Sequence, residues 1–111
     1  MLIASTRTLQ LIALLRPIVD ELRVRAPHLA DQLERATSSV HLNLAEASGR
    51  RGRDQRARYR VAAAEAQEVK AALELALAWG HAAPALVAAA MPVADHVAGL
   101  TYGLARATPR A

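Results

Sequence analysis

Six arginines fall within eleven residues between Gly49 and Arg60, in the stretch GRRGRDQRARYR. Arg50, Arg51, Arg53, Arg56, Arg58 and Arg60 share this stretch with one acid, Asp54. The guanidinium group presents a planar fork of N–H donors that matches a phosphate in two-point fashion, which an ammonium cannot do. Each phosphate so contacted releases counterions, and affinity then falls as salt rises. Tyr59 lies inside the run and could stack on a base. The competing reading is a solvated helix start whose cations pair with Asp54, Glu46 or Glu65. The excess of arginine leaves such pairing incomplete. Cations at a helix N-terminus also oppose its dipole, so a compensating anion is expected. No known nucleic-acid motif accompanies the run, so sequence-specific readout is not expected.

A second set of polar residues lies on or beside a helical seam. Ser39, Asn43 and Glu46 share one segment, and Glu68 lies on the next. Carboxylates from facing helices can act as general acid and base. Without a cleft-forming insertion, the same four residues read better as a structural polar network that ties two helices together and involves Arg35. The four histidines, His28, His41, His81 and His96, show none of the Glu-x-x-His pairs by which bundles hold metal. Ser38, Ser39 and Ser48 have no histidine and acid arranged with them. No catalytic residue, metal or cofactor is therefore expected, and the protein is read as a non-enzyme.

The elements that must position these residues are helices. Hydrophobic residues make up 53% of 111, yet aromatics are only 3% and phenylalanine is absent. Much of the apolar content is alanine, the strongest helix former. Small side chains bury little area each, so the core is thin and a partner chain would help it. The net charge is +4. Cysteine is absent, which excludes disulfides and thiolate chemistry and suits a cytoplasmic protein. The N-terminal apolar run lacks a basic leader and is broken by Arg7. The run from Ala82 to Ala94 is short for a bilayer and holds two prolines, so no membrane association is expected.

The spacing predicts four helices in one domain, residues 1–111. The first starts at Ser5 or Thr6 and ends near Arg25. Its inner stripe is Leu9, Ile12, Leu15, Val19 and Leu22. Leu11, Leu14 and Ile18 widen that stripe beyond what one neighbour needs, and Pro17 should kink or divide the helix. The second runs from about His28 to Ala47 or Ser48, with Leu33, Ala36, Val40, Asn43 and Ala47 inward and Gly49 as a left-handed cap. The third ends at Gly80, with Tyr59, Ala62, Ala66, Val69, Leu73 and Ala76 inward. Val61, Glu65, Glu68, Ala72, Leu75 and Trp79 form a second stripe, and Trp79 should anchor its end. The fourth opens at Pro84 and turns Leu86, Ala90, Val93, Val97, Leu100 and Leu104 inward, with Pro92 as another kink. Asp95, Gly99, Gly103 and Ala107 leave a narrow face for close packing or a subunit contact. Thr108 to Ala111 is expected to fray. Short links between four such helices give an all-α, antiparallel up-down four-helix bundle.

The second segment reads Arg35, Ala36, Ser39, Val40, Asn43, Leu44, Ala45, Glu46, Gly49 and Arg50. This resembles the signature of a four-helix-bundle protein family encoded by intervening sequences in bacterial 23S ribosomal RNA genes. Ala47 stands where that family usually has glycine. Val61, Ala62, Ala66 and Glu68 match a second signature, in which Ala64 and Glu65 replace a glycine and a serine. The resemblance implies a bundle that assembles as a homopentamer. It further implies kinship with the accessory variability protein of diversity-generating retroelements, a basic pentamer that binds nucleic acid and a reverse transcriptase. The expected function is thus an oligomeric accessory protein for RNA, DNA or a ribonucleoprotein such as a reverse transcriptase complex, acting through the arginine run. The alternative is a protein-only scaffold that uses the surplus apolar stripes, Leu11, Leu14 and Ile18 on one helix and Leu75 and Trp79 on another.

Overall fold

The computed structural model describes residues 2–107. Among them are four α-helices and no strand: α1 Ile3–Arg25, α2 Pro27–Ser48, α3 Gly52–Ala78 and α4 Pro84–Ala107. Ala26, residues 49–51 and residues 79–83 are the only links, and links so short turn each helix back on its predecessor. Each helix packs on its chain neighbours, and α4 closes the ring against α1. The result is an up-down four-helix bundle of 45 × 22 × 20 Å. The tail expected to fray, Thr108 to Ala111, lies outside the described residues.

The core follows the three-four spacing closely on α2 and α3. Leu33, Ala36, Val40 and Ala47 are buried on α2, joined by Ala30, Thr37 and Leu44. Tyr59, Ala62, Ala66, Val69, Leu73 and Ala76 are buried on α3, joined by Ala72. On α4, Ala90, Val93 and Val97 face inward as expected. Val87, Ala94, Ala98 and Thr101 complete that face, and Leu86, Leu100 and Leu104 sit half-buried at its edges.

The first helix is turned relative to the expected stripe. Its buried residues are Ala4, Ser5, Thr8, Leu11, Leu15, Ile18 and Leu22, while Leu9 is exposed and Ile12 and Val19 are half-buried. Leu11 and Ile18 are therefore core residues and not spare apolar surface. The reason lies in the threonines. The Thr8 hydroxyl donates to the Ala4 carbonyl at 2.7 Å, and that of Thr101 to the Val97 carbonyl at 2.8 Å. A hydroxyl satisfied by its own helix can be buried at little cost. The face that includes Thr8 is then as buriable as the more apolar one beside it.

Helix ends depart from expectation in two places. The first helix begins at Ile3 behind Leu2, not at Ser5 or Thr6. Gly49 has φ −95°, so it is not left-handed; Gly52 at φ 59° and Gly80 at φ 71° are. At Gly80 the amide donates to the Leu77 carbonyl at 3.0 Å and the His81 amide to the Ala76 carbonyl at 2.9 Å. This paired closure with a left-handed residue is the Schellman arrangement. Pro17 and Pro92 divide neither helix; both are exposed, where water can take over the carbonyl each leaves unpaired.

By length and composition α4 could cross a membrane. Its buried face is the part that packs in the bundle. Its outer face is also largely apolar or small, with Ala88, Ala89, Pro92, Gly99, Tyr102 and Gly103 exposed.

Candidate nucleic-acid interface

The end of α2, the turn 49–51 and the start of α3 form one corner of the bundle. Ala47 and Tyr59 anchor it in the core. The Gln55 side-chain amide donates to the Ala47 carbonyl at 3.2 Å, which ties the first turn of α3 to the last turn of α2. Gly52 supplies the left-handed residue that leads the chain into α3. Arg51 is the N-cap, extended at φ −138° and ψ 161°, and no side chain caps the helix. The free amides of a first turn carry positive partial charge, and Arg51 and Arg53 add to it. Asp54 is the only acid in that turn.

The six arginines divide into two groups. Arg50 Nη2 lies 3.1 Å from Glu46, and Arg58 Nε lies 3.7 Å from the same carboxylate. The side chains of Arg51, Arg53, Arg56 and Arg60 make no hydrogen bond or ion pair with any described residue. Glu65, which sequence offered as a partner for the run, is held instead by Arg35 at 3.4 Å, and Arg35 also reaches Glu68 at 3.3 Å. Asp54 forms no ion pair among the described residues. Arg56 and Arg58 are half-buried and the other four are exposed. Tyr59 is only 6% exposed, so its ring belongs to the core and offers no face to a base.

Ser39, Asn43, Glu46 and Glu68 fall into three local sets. Asn43 Nδ2 donates to the Ser39 carbonyl at 2.9 Å and to its hydroxyl at 3.1 Å, within α2 and half-buried. Glu46 joins α2 to α3 through Arg58, and Glu68 joins α3 to α2 through Arg35. These cross-helix pairs are largely exposed, and such pairs contribute about 0–1 kcal/mol each. A third cluster lies at the far end of α2, where Asp31 and then Glu34 hold the Arg23 guanidinium above its ordinary pKa through hydrogen bonds and charge. The histidines are dispersed. His96 Nδ1 accepts from Arg7 Nε at 2.9 Å, His81 lies beside Trp79, His28 is exposed, and His41 Nδ1 is buried without a partner. Among the described residues no three His, Cys, Asp or Glu side chains converge to hold a metal ion.

Sequence reasoning misplaced Trp79. It does not anchor the end of α3: it is 72% exposed, with Leu75 and Leu77 also largely open. The second stripe of α3 borders the seam with α2, and only Ala72 of it is small and central enough to be covered. The signal was available in the stripe itself, since Glu65 and Glu68 mark it as a solvent flank and not a core face.

No curated protein matches the chain. Its fold is similar to the crystal structure of a protein of unknown function, from the S23 ribosomal protein family, of Bacteroides thetaiotaomicron. The two superpose with a TM-score of 0.80 at 16% identity, over 94% of this chain and 99% of the other. Residues 11–103, which reach from α1 into the last turns of α4, match the family described as 23S rRNA-intervening sequence protein, and the chain belongs to that family.

Proposed function

We propose that this protein is a non-enzymatic, homo-oligomeric binding protein for nucleic acid or a ribonucleoprotein, and that the corner between α2 and α3 is its contact surface. One observation carries the reading: the side chains of Arg51, Arg53, Arg56 and Arg60, all at this corner, pair with no carboxylate among the described residues. Four unpaired guanidinium groups beside an uncapped helix start repel one another and attract a polyanion. The contact is to phosphates and not to base edges, since nothing at this corner offers a stacking face. The kinship with the accessory protein of retroelements that the resemblance implies favours a reverse transcriptase complex as the partner and five subunits as the assembly. A ring would bring several such corners together, and linked weak sites bind far more tightly than one.

The test is a titration of the purified protein with short RNA and DNA at low salt, read by mobility shift. Binding is expected, with loss of at least tenfold in affinity for Arg51→Ala, Arg53→Ala and Arg56→Ala combined. Absence of any shift for either nucleic acid would sink the reading. The exposed pair of Leu75 and Trp79, one turn apart on α3, favours a protein-only scaffold as the second reading. That reading requires assembly that is insensitive to salt, and protein that purifies without bound nucleic acid.

A further inference from the structure

The geometry points to a second contact at the opposite end of the bundle: a stacking platform for an unpaired nucleobase, built on Trp79 and His81. Trp79 is the single tryptophan of the chain, and it sits at the C-cap of α3 with 72% of its surface open. Its ring lies within 18° of parallel to that of His81, with centroids 6.4 Å apart. The Schellman turn fixes the backbone from which both rings project, because the His81 amide is tied to Ala76 and Gly80 is held left-handed. An open cleft of about 300 Å³ is lined by both rings together with His28, Leu29, Gln32 and Leu75. That volume is at the low end for a ligand site and suits one planar ring.

The chemistry of the lining selects the occupant. The Gln32 amide and the His28 imidazole make no hydrogen bond with any described residue, and each can meet the donor and acceptor edge of a base. Arg25 stands at the rim, with Nη1 3.5 Å from the Gly80 carbonyl, and adds a cation where a sugar–phosphate backbone would leave the cleft. An apolar protein surface would leave those polar edges unpaired, which is costly. A duplex keeps its bases stacked inside, so the ligand is single-stranded. The site deepens the polyanion reading, on which it rests for most of its affinity: phosphates at the arginine corner, and a base about 35 Å away along α3 at 1.5 Å per residue.

Because Trp79 is the single tryptophan, its fluorescence reports on this site alone. The experiment titrates the protein with a short single-stranded RNA and with the same sequence as a duplex. Trp79 emission is read together with the anisotropy of a label on the RNA. Single strand should quench the emission and duplex should leave it nearly unchanged. Trp79→Ala should weaken single-strand binding about tenfold, the usual effect of removing one stacking ring, with duplex affinity retained. Trp79 is outside the core, so this variant should fold; Gln32→Ala, equally exposed, should weaken single-strand binding to a smaller degree. If the anisotropy rises while emission and the Trp79→Ala affinity stay unchanged, the platform is refuted and the arginine corner stands. If no anisotropy change occurs with either RNA, both fall. Emission that shifts to the blue with protein concentration alone, and then resists quenching, would mean that a second copy covers Trp79, and would overturn the platform.

Discussion

At the scale of the residue, two aromatic side chains exchanged the roles that sequence offered them. Tyr59 sits inside an arginine run and looks available, yet its position in the stripe with Ala62 and Ala66 buries it. Trp79 looks like an anchor, yet it lies two turns past Ala72, the last covered position of its own stripe. Periodicity settles such cases only where a helix has one apolar face. The partners of the arginines were likewise hidden from sequence, because Glu65 is as near to the run as to Arg35 until the register of α2 on α3 is known. That register also explains which residues matter for stability. Leu44 is fully buried at the mouth of the corner, and Leu44→Ala should lower unfolding stability by about 2–5 kcal/mol, read by chemical denaturation. Arg35→Ala, by contrast, removes two surface pairs, to half-buried Glu65 and Glu68, and should cost no more than about 2 kcal/mol in the same assay.

At the scale of the element, α2, α3 and α4 were legible nearly to their ends, since alanine-rich stripes at three-four spacing leave one way to face a core. The face of α1 was not, because apolar residues surround most of it and buried threonines do not register as core. Turns were legible by composition but not by position: Pro27 marked the first link and glycine the other two, while the left-handed residues were Gly52 and Gly80 and not Gly49. The two kinds of glycine should respond in opposite ways to the same change. Gly80→Ala forces a side chain into the left-handed region and should cost about 1–2 kcal/mol by thermal or denaturant unfolding. Gly99 is helical, and a methyl group there meets nothing within 4 Å of its own chain. Gly99→Ala should therefore raise subunit stability by about 0.5–1 kcal/mol. If light scattering shows that the same variant, or Gly103→Ala, breaks an assembly, the outer face of α4 is where another copy approaches.

At the scale of the whole molecule, the bundle is a thin rod with a core rich in alanine, a chemically quiet interior and an uneven surface charge. Among the described residues its ion pairs lie at the surface, across the α1–α2, α2–α3 and α3–α4 seams, and Arg7 meets His96 between α1 and α4. The fold and family could be read from the middle of the chain, since the signature from Arg35 to Arg50 is also the stretch that sets the second helix. Partner and subunit number could not, because both depend on surfaces whose complement is another molecule. Light scattering on size-exclusion chromatography should give a mass several times 11.8 kDa, five times for the proposed ring. The claim that binds these scales together is that unpaired arginines at the α2–α3 corner meet phosphates. The most direct measurement is the slope of log affinity for single-stranded RNA against log salt, taken for the native chain and for the variant carrying Arg51→Ala, Arg53→Ala and Arg56→Ala. Three lost phosphate contacts should make the slope shallower by about two for each engaged subunit. Equal slopes, or no RNA binding by the native protein at low salt, would contradict the account.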